Sequence, residues 1–131
     1  MRAVSPGWMR YRELMKYMLL FWVDEAGEST ADEDAAMMTA VTSWLEEMTE
    51  CGVHVSGGPL RSARQAKIVS VRDHELLVSD GPFAETKEQI GGYDVVECPD
   101  MDTALAVAAG HPLARTAQVE VQPFWDAPWD H

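Results

Sequence analysis

Two groups of residues in this 131-residue chain have the types and spacing to do chemistry. The first is the histidines, His54, His74, His111 and His131. His111 follows Gly110 at the end of an expected helix, where the helix dipole favours the protonated ring. It is a candidate general acid or base, or an anion contact in a cleft; alternatively its ring caps the last helical carbonyls. His54 lies between Val53 and Val55 in an expected strand. If those valines face the helices, His54 points to the opposite face. There it either lines a cavity or is hydrogen-bonded across an interface. His74 at a hairpin tip and His131 at the terminus read as solvated.

The second group sits in "DGPFAETKEQIGG", residues 80–92, between the strand-like runs "LLVS" and "YDVVE". Hairpin loops usually take about 2–5 residues, so a segment of this length needs another explanation. Asp80 before Gly81 can form an Asx-turn, Pro82 fixes the next φ, and Phe83 would anchor the loop on the body. Glu85, Lys87 and Glu88 face either water or a pocket. Asp80, Glu85 and His111 are the candidates for proton transfer, with Lys87 or Arg115 stabilising charge. His54, Phe83, Tyr93 and Glu120 complete the set of ligand-pocket candidates. No pair of histidines has metal-ligand spacing, and HExxH, CxxC and GxSxG are all missing. Gly91-Gly92 does not open a helix or precede a Lys-Ser/Thr, so it is no phosphate loop. It reads as a bulge or a close backbone approach. Neither a metal nor a cofactor is expected.

The elements that must position these residues follow from periodicity. "KYMLLFWV" (16–23) is apolar without alternation, as a central strand covered on both faces would be. Thr30 and Glu33 form a capping box, and Met37, Met38, Val41, Trp44, Leu45 and Met48 recur at three- and four-residue steps up to Gly52. "VHVSGG" (53–58) is a strand, and "AKIVSV" and "ELLVS" flank a tip at Arg72-Asp73-His74. "YDVVE" (93–97), a helix begun by Asp100 and ended by Gly110 and Pro112, and the alternating "TAQVEVQPF" (116–124) complete the chain. The order is βαβ, an inserted β-hairpin, then βαβ. Without the hairpin this is the ferredoxin-like βαββαβ plan of the α+β class, an antiparallel sheet with two helices on one face. Two helices leave the other face open, so the doubly apolar first strand predicts a homodimer packed sheet to sheet.

Length bounds the chain to one domain, with residues 1–14 as an extension, 15–125 as the domain and 126–131 as a tail. A formal charge of −12 argues against nucleic acid, which needs clustered cations. The apolar run Tyr17–Val23 ends at Asp24-Glu25, far short of the roughly 20 residues a bilayer requires, so no membrane association is expected. Cys51 and Cys98 match no redox or metal spacing, as suits reduced thiols in a cytoplasmic protein.

"MKYMLLFW", "DGPFAETKEQIGGYDVVECPDMDTALAVAAGHP" and "EVQPFW" together resemble the YCII-related family, in its DGPF branch, over residues 15–125. The resemblance implies a dimeric α/β barrel. It also implies either of two functions. One is cofactor-free lyase or isomerase chemistry on a small molecule; the other is a non-catalytic ligand-sensing or protein-interaction module, accessory to a sigma factor. Family members proper are proposed to use a His in the first helix and an Asp in an Asp-Pro pair. Here the helix position falls near Val41, and the pair reads His111-Pro112, so any chemistry must use other residues.

Overall fold

The computed structural model describes residues 14–125, so all but the last residue of the expected extension, and the 126–131 tail with Trp129 and His131, lie outside the described residues. Six strands and two helices follow one another as β1 (Met15–Val23), α1 (Ala31–Glu50), β2 (His54–Pro59), β3 (Lys67–Arg72), β4 (Glu75–Asp80), β5 (Gln89–Cys98), α2 (Met101–Ala109) and β6 (Gln118–Pro123). Short 3-10 turns at Ala63–Gln65 and Pro112–Arg115 complete the set. The main sheet has the antiparallel order β2-β5-β1-β6, and β3 and β4 pair separately as a two-stranded hairpin. This is the ferredoxin-like α+β plan with an inserted hairpin.

Local chemistry sets the helix ends. The Thr30 side chain accepts from the Glu33 N–H while Glu33 accepts from the Thr30 N–H, and Asp32 and Asp34 add charge where the dipole welcomes it. The Asp100 carboxylate accepts from the Thr103 N–H and so starts α2. The hairpin turns at Asp73 and His74, both with positive φ, as a tight two-residue connection requires.

β1 lies between β5 and β6 and sorts its side chains by parity. Tyr17, Leu19 and Phe21 are buried with Val96 and Cys98 against Trp44 and Met48 of α1 and Ala104 and Ala108 of α2. Met18, Leu20 and Trp22 point the other way. Their cross-strand partners are Val95, Tyr93 and Ile90 on β5, and Gln122, Glu120 and Gln118 on β6. No helix of the described residues lies on that outer face. The absence of alternation in β1 therefore has a direct cause: both of its faces are apolar, and only one has a helical layer.

Glycine lets the strands fit at two points. The β1–β5 register shifts between Phe21 and Trp22, where Gly91 is the extra residue of a bulge. A Cβ there would sit 2.7 Å from Val23 Cγ2. On β2, Gly57 has φ +141° and faces the buried Asp94; a Cβ would come within 2.3 Å of the Tyr93 carbonyl oxygen and 2.5 Å of Asp94 Oδ1. Gly57→Ala is expected to destabilise the fold by roughly 2–4 kcal/mol in urea unfolding, from backbone strain and overlap together. A stability within about 0.5 kcal/mol of wild type, the range of ordinary surface substitutions, would contradict this account of β2.

Candidate functional site

The segment after β4 is held by its own side chains. Gln89, the first residue of β5, donates from Nε2 to the Ala84 carbonyl (2.9 Å), the Thr86 carbonyl (3.0 Å) and Thr86 Oγ1 (3.2 Å). Thr86 Oγ1 in turn donates to the Glu88 carbonyl at 2.5 Å. At the other wall, the Glu25 carboxylate accepts from the Ala63 N–H at 3.1 Å and from the Ser62 hydroxyl at 3.4 Å, tying the end of β1 to the 3-10 turn. The Gly81 N–H donates to the Ala66 carbonyl at 2.8 Å, closing the base of the hairpin.

These ties frame a cleft around Trp22, at the end of β1. Its largest part, about 720 Å³, is walled by Trp22, Leu60, Ile68, Phe83 and Ile90, with Arg61 and Lys67 among its polar groups. A second part of about 440 Å³ meets Asp24, Arg64, Glu85 and Lys87. Two further hollows, of about 690 and 290 Å³, reach Glu88 and then Glu120 on β6. The three larger volumes fall in the range of roughly 300–1,000 Å³ that small-molecule sites occupy. The indole Nε1–H of Trp22 donates to Glu120 Oε1 at 2.8 Å, which fixes the ring on the outer face.

The structure gathers some of the expected site residues and separates others. Phe83, Glu85, Lys87, Glu88 and Glu120 all line this cleft system. Phe83 is 91% exposed at its mouth and is no anchor; Gln89 holds the loop instead. Asp80 forms no Asx-turn, since the residue two positions on is Pro82 and has no N–H to donate; its carboxylate pairs instead with Lys67, which holds its proton affinity down. Tyr93 stands half-buried on the outer face and Arg115 is exposed after α2, both away from these cavities. Among the described residues, no group of three or more His, Cys, Asp or Glu side chains could hold a metal ion.

His54 faces the helices, not the outer side. It pairs with Val96, whose side chain belongs to the core, and a register shift follows at Val55, so the valines do not set its direction as strict alternation would. Its Nε2 lies 2.7 Å from Asp94 Oδ1, and its ring meets the edge of Trp44 at 6.4 Å. Burial raises the pKa of Asp94, outweighing the opposing effect of its hydrogen bond to His54. The pair can share a proton, but neither side chain opens on the cleft.

His111 is not a charged group at the end of α2. It is 2% exposed, stacked on Phe21 at 4.3 Å and edge-on to Trp44 at 4.6 Å. Its Nδ1 accepts from the Leu113 N–H at 3.0 Å, so it caps the following 3-10 turn and not the helix before it. Burial depresses its pKa to about 4, against an ordinary 6.5. Desolvation inside the aromatic cluster defeats the helix dipole.

Trp22, Asp24, Arg61, Arg64 and Gln89 are site residues that periodicity and motif reading miss. Trp22 is hidden in an unbroken apolar run, and Arg61 and Arg64 lie in an irregular link whose path only the fold reveals. The one sequence signal was the charge of residues 61–67, basic in an acidic chain.

The unfolded state takes a proton at His111 near pH 6.5, whereas the folded state resists until about 4. Stability from this group is present above 6.5 and lost as pH falls, by up to roughly 3 kcal/mol at the lower end. His111→Asn, which keeps an acceptor for the Leu113 N–H, should flatten the unfolding free energy between pH 6.5 and 4. An unchanged slope would show that His111 does not fold neutral. Asp94 acts in the other sense, its contribution fading as pH rises through its elevated folded pKa.

Comparison with known proteins agrees with this architecture. An uncharacterized protein, R00369 of Rhizobium meliloti (strain 1021), is 32% identical over 117 residues, covering 84% of this chain and 92% of its own length. The model of the YCII-related domain matches residues 15–128, which takes in both helices, all six strands and the whole cleft. The chain belongs to the YCII-related family.

Proposed function

We propose that this domain binds a small organic molecule in the cleft between Trp22 and residues 82–90, and that it does so as a homodimer packed through the outer face of the sheet. One observation carries the reading: Lys87 and Glu88, on a loop pinned by Gln89, and Glu120 of β6 share hollows with a single indole, and the exposed Glu85 lines the hollow beside them. Such a site supports cofactor-free proton transfer of the lyase or isomerase type, with Glu85 or Glu88 moving the proton and Lys87 balancing charge. Asp80-Gly81-Pro82-Phe83 supports placement in the DGPF branch, and two free cysteines suit a cytoplasmic chain. The uncovered Met18, Leu20 and Trp22 support the homodimer.

A second reading, the protein-interaction module, draws on the hairpin. Val69 and Val71 of β3 stand opposite Val78 and Leu76 of β4, all well exposed on one face. An aliphatic patch on a two-stranded ribbon suits contact with another protein surface, a sigma factor among the possible partners.

Thermal-shift screening with small acids, amides and lactones separates the two. A ligand of the cleft should raise the melting temperature of wild type and of Glu46→Ala, exposed on α1 away from the cavities, but not of Trp22→Ala. Circular dichroism checks that each variant is folded. Hits indifferent to Trp22→Ala, or none across the set, would sink the cleft as a ligand site and favour the interaction module.

A further inference from the structure

Resting on the cleft as the ligand site, we infer that its ligand is an organic anion with an apolar body, of the size of a substituted cyclohexane- or benzenecarboxylate. The chain holds 22 Asp and Glu against 10 Lys and Arg, so a surface hollow would ordinarily be lined by carboxylates. The 720 Å³ hollow is the reverse. Arg61 and Lys67 line it and no carboxylate does, while Trp22, Leu60, Ile68, Phe83 and Ile90 supply apolar wall. Lys16, Arg72 and Arg115 are the other basic residues described outside the cleft system; Arg64 and Lys87 line the adjoining hollow.

The pairing of these cations shows which are available. Lys67 is taken by Asp80, and Lys87 lies 3.9 Å from Asp24. The Arg61 and Arg64 guanidiniums make no hydrogen bond or ion pair with any described residue. In the adjoining hollow the Glu25 carboxylate is already engaged by Ser62 and Ala63, and Asp24 accepts from the Ala26 N–H. The third carboxylate there, Glu85, is exposed and makes no hydrogen bond or ion pair with a described residue, so Arg61 in the large hollow is the cation farthest from competition. Arg61 beside the apolar wall, with Arg64 in the adjoining hollow, offers forked donors to a carboxylate, and the wall offers a hydrocarbon surface to the rest of the molecule. A cationic ligand would meet Arg61 and Lys67 in the large hollow with no carboxylate to receive it. A neutral one would leave both guanidiniums unused. The chain's net charge repels anions at long range, so the selectivity must come from these local contacts.

Three probes of one shape test the assignment on the full chain labelled with nitrogen-15: cyclohexanecarboxylate, cyclohexanecarboxamide and cyclohexylmethylammonium. Two-dimensional NMR follows the Trp22 indole Nε1–H and the amides of Ala63, Thr86 and Gln89. The acid should move these signals and bind roughly tenfold or more tighter than the amide, as a charge-assisted contact would. The amine should leave them in place. Arg61→Gln/Arg64→Gln should bring the acid down to the amide's affinity without changing the amide's own. Equal binding of acid and amide, tighter binding of the amine, or an acid preference that survives the double variant would each overturn the ligand class while leaving the cleft as a site. If none of the three moves the cleft signals, the cleft reading fails and this inference with it.

Discussion

The arrangement of this molecule follows from one mismatch: a four-stranded sheet whose central strand is apolar on both faces, served by helices on one face alone. On the helical side, Leu19 and Val96 are fully buried, and Tyr17, Phe21 and Cys98 close the layer with Trp44 and Met48. Burying side chains of this size stabilises a fold by about 1.5–3 kcal/mol each, so this layer is where most of the domain's stability resides. On the other side, Met18, Leu20 and Trp22 meet only their neighbours on β5 and β6. That face sets Met18, Leu20, Trp22 and Val95 beside Gln118, Glu120 and Gln122, with no helix over it among the described residues.

The inserted hairpin walls a cleft at one end of the open face. Ala63–Gln65 and the base of the β3–β4 ribbon hang beside the end of β1, and residues 82–88 return beneath them to β5. Glu25 and Gln89 tie the two walls in place. Trp22 is then at once the last apolar residue of the open face and the floor of the cleft. Charge is sorted in the same way. α1 carries Asp32, Glu33, Asp34, Glu46, Glu47 and Glu50 with no basic residue, whereas the cleft system sets Arg61, Arg64, Lys67 and Lys87 beside Asp24, Glu25, Glu85, Glu88 and Glu120, with cations the only charged residues lining the large hollow. The aromatic cluster of Phe21, Trp44 and His111 lies on the far side of the sheet, and its histidine is held neutral as a structural part.

Much of the fold could be read from the chain because its signals are local. The Thr30–Glu33 box, the Asp100 cap, the Asp73-His74 turn and the Gly91 bulge each depend on a few adjacent residues, and each stands where the sequence puts it. The doubly apolar β1 even announced the uncovered face. The site was harder because its residues are distant in sequence and meet only through the sheet order. Trp22 and Glu120 are 98 positions apart, and His54 finds Asp94 from 40 positions away. Direction failed where local geometry departs from the ideal: the shift after His54 breaks the alternation used to aim it. Burial in an aromatic cage reversed the charge expected of His111, and Asp80, whose Asx-turn Pro82 forbids for want of an N–H, found Lys67 on the facing strand. For His111 a tertiary contact overrode a local preference.

The proposed cover for the outer face is a second copy of the chain, which would bring the same apolar strip and would set the two clefts at the rim of one interface. The molecular mass in solution tests this most directly. At micromolar concentration, size-exclusion chromatography with light scattering should give twice the 14.6 kDa of the chain. A mass of 14.6 kDa, with Leu20→Lys leaving stability and mass unchanged, would mean that the face stands open to water and that the central claim is wrong.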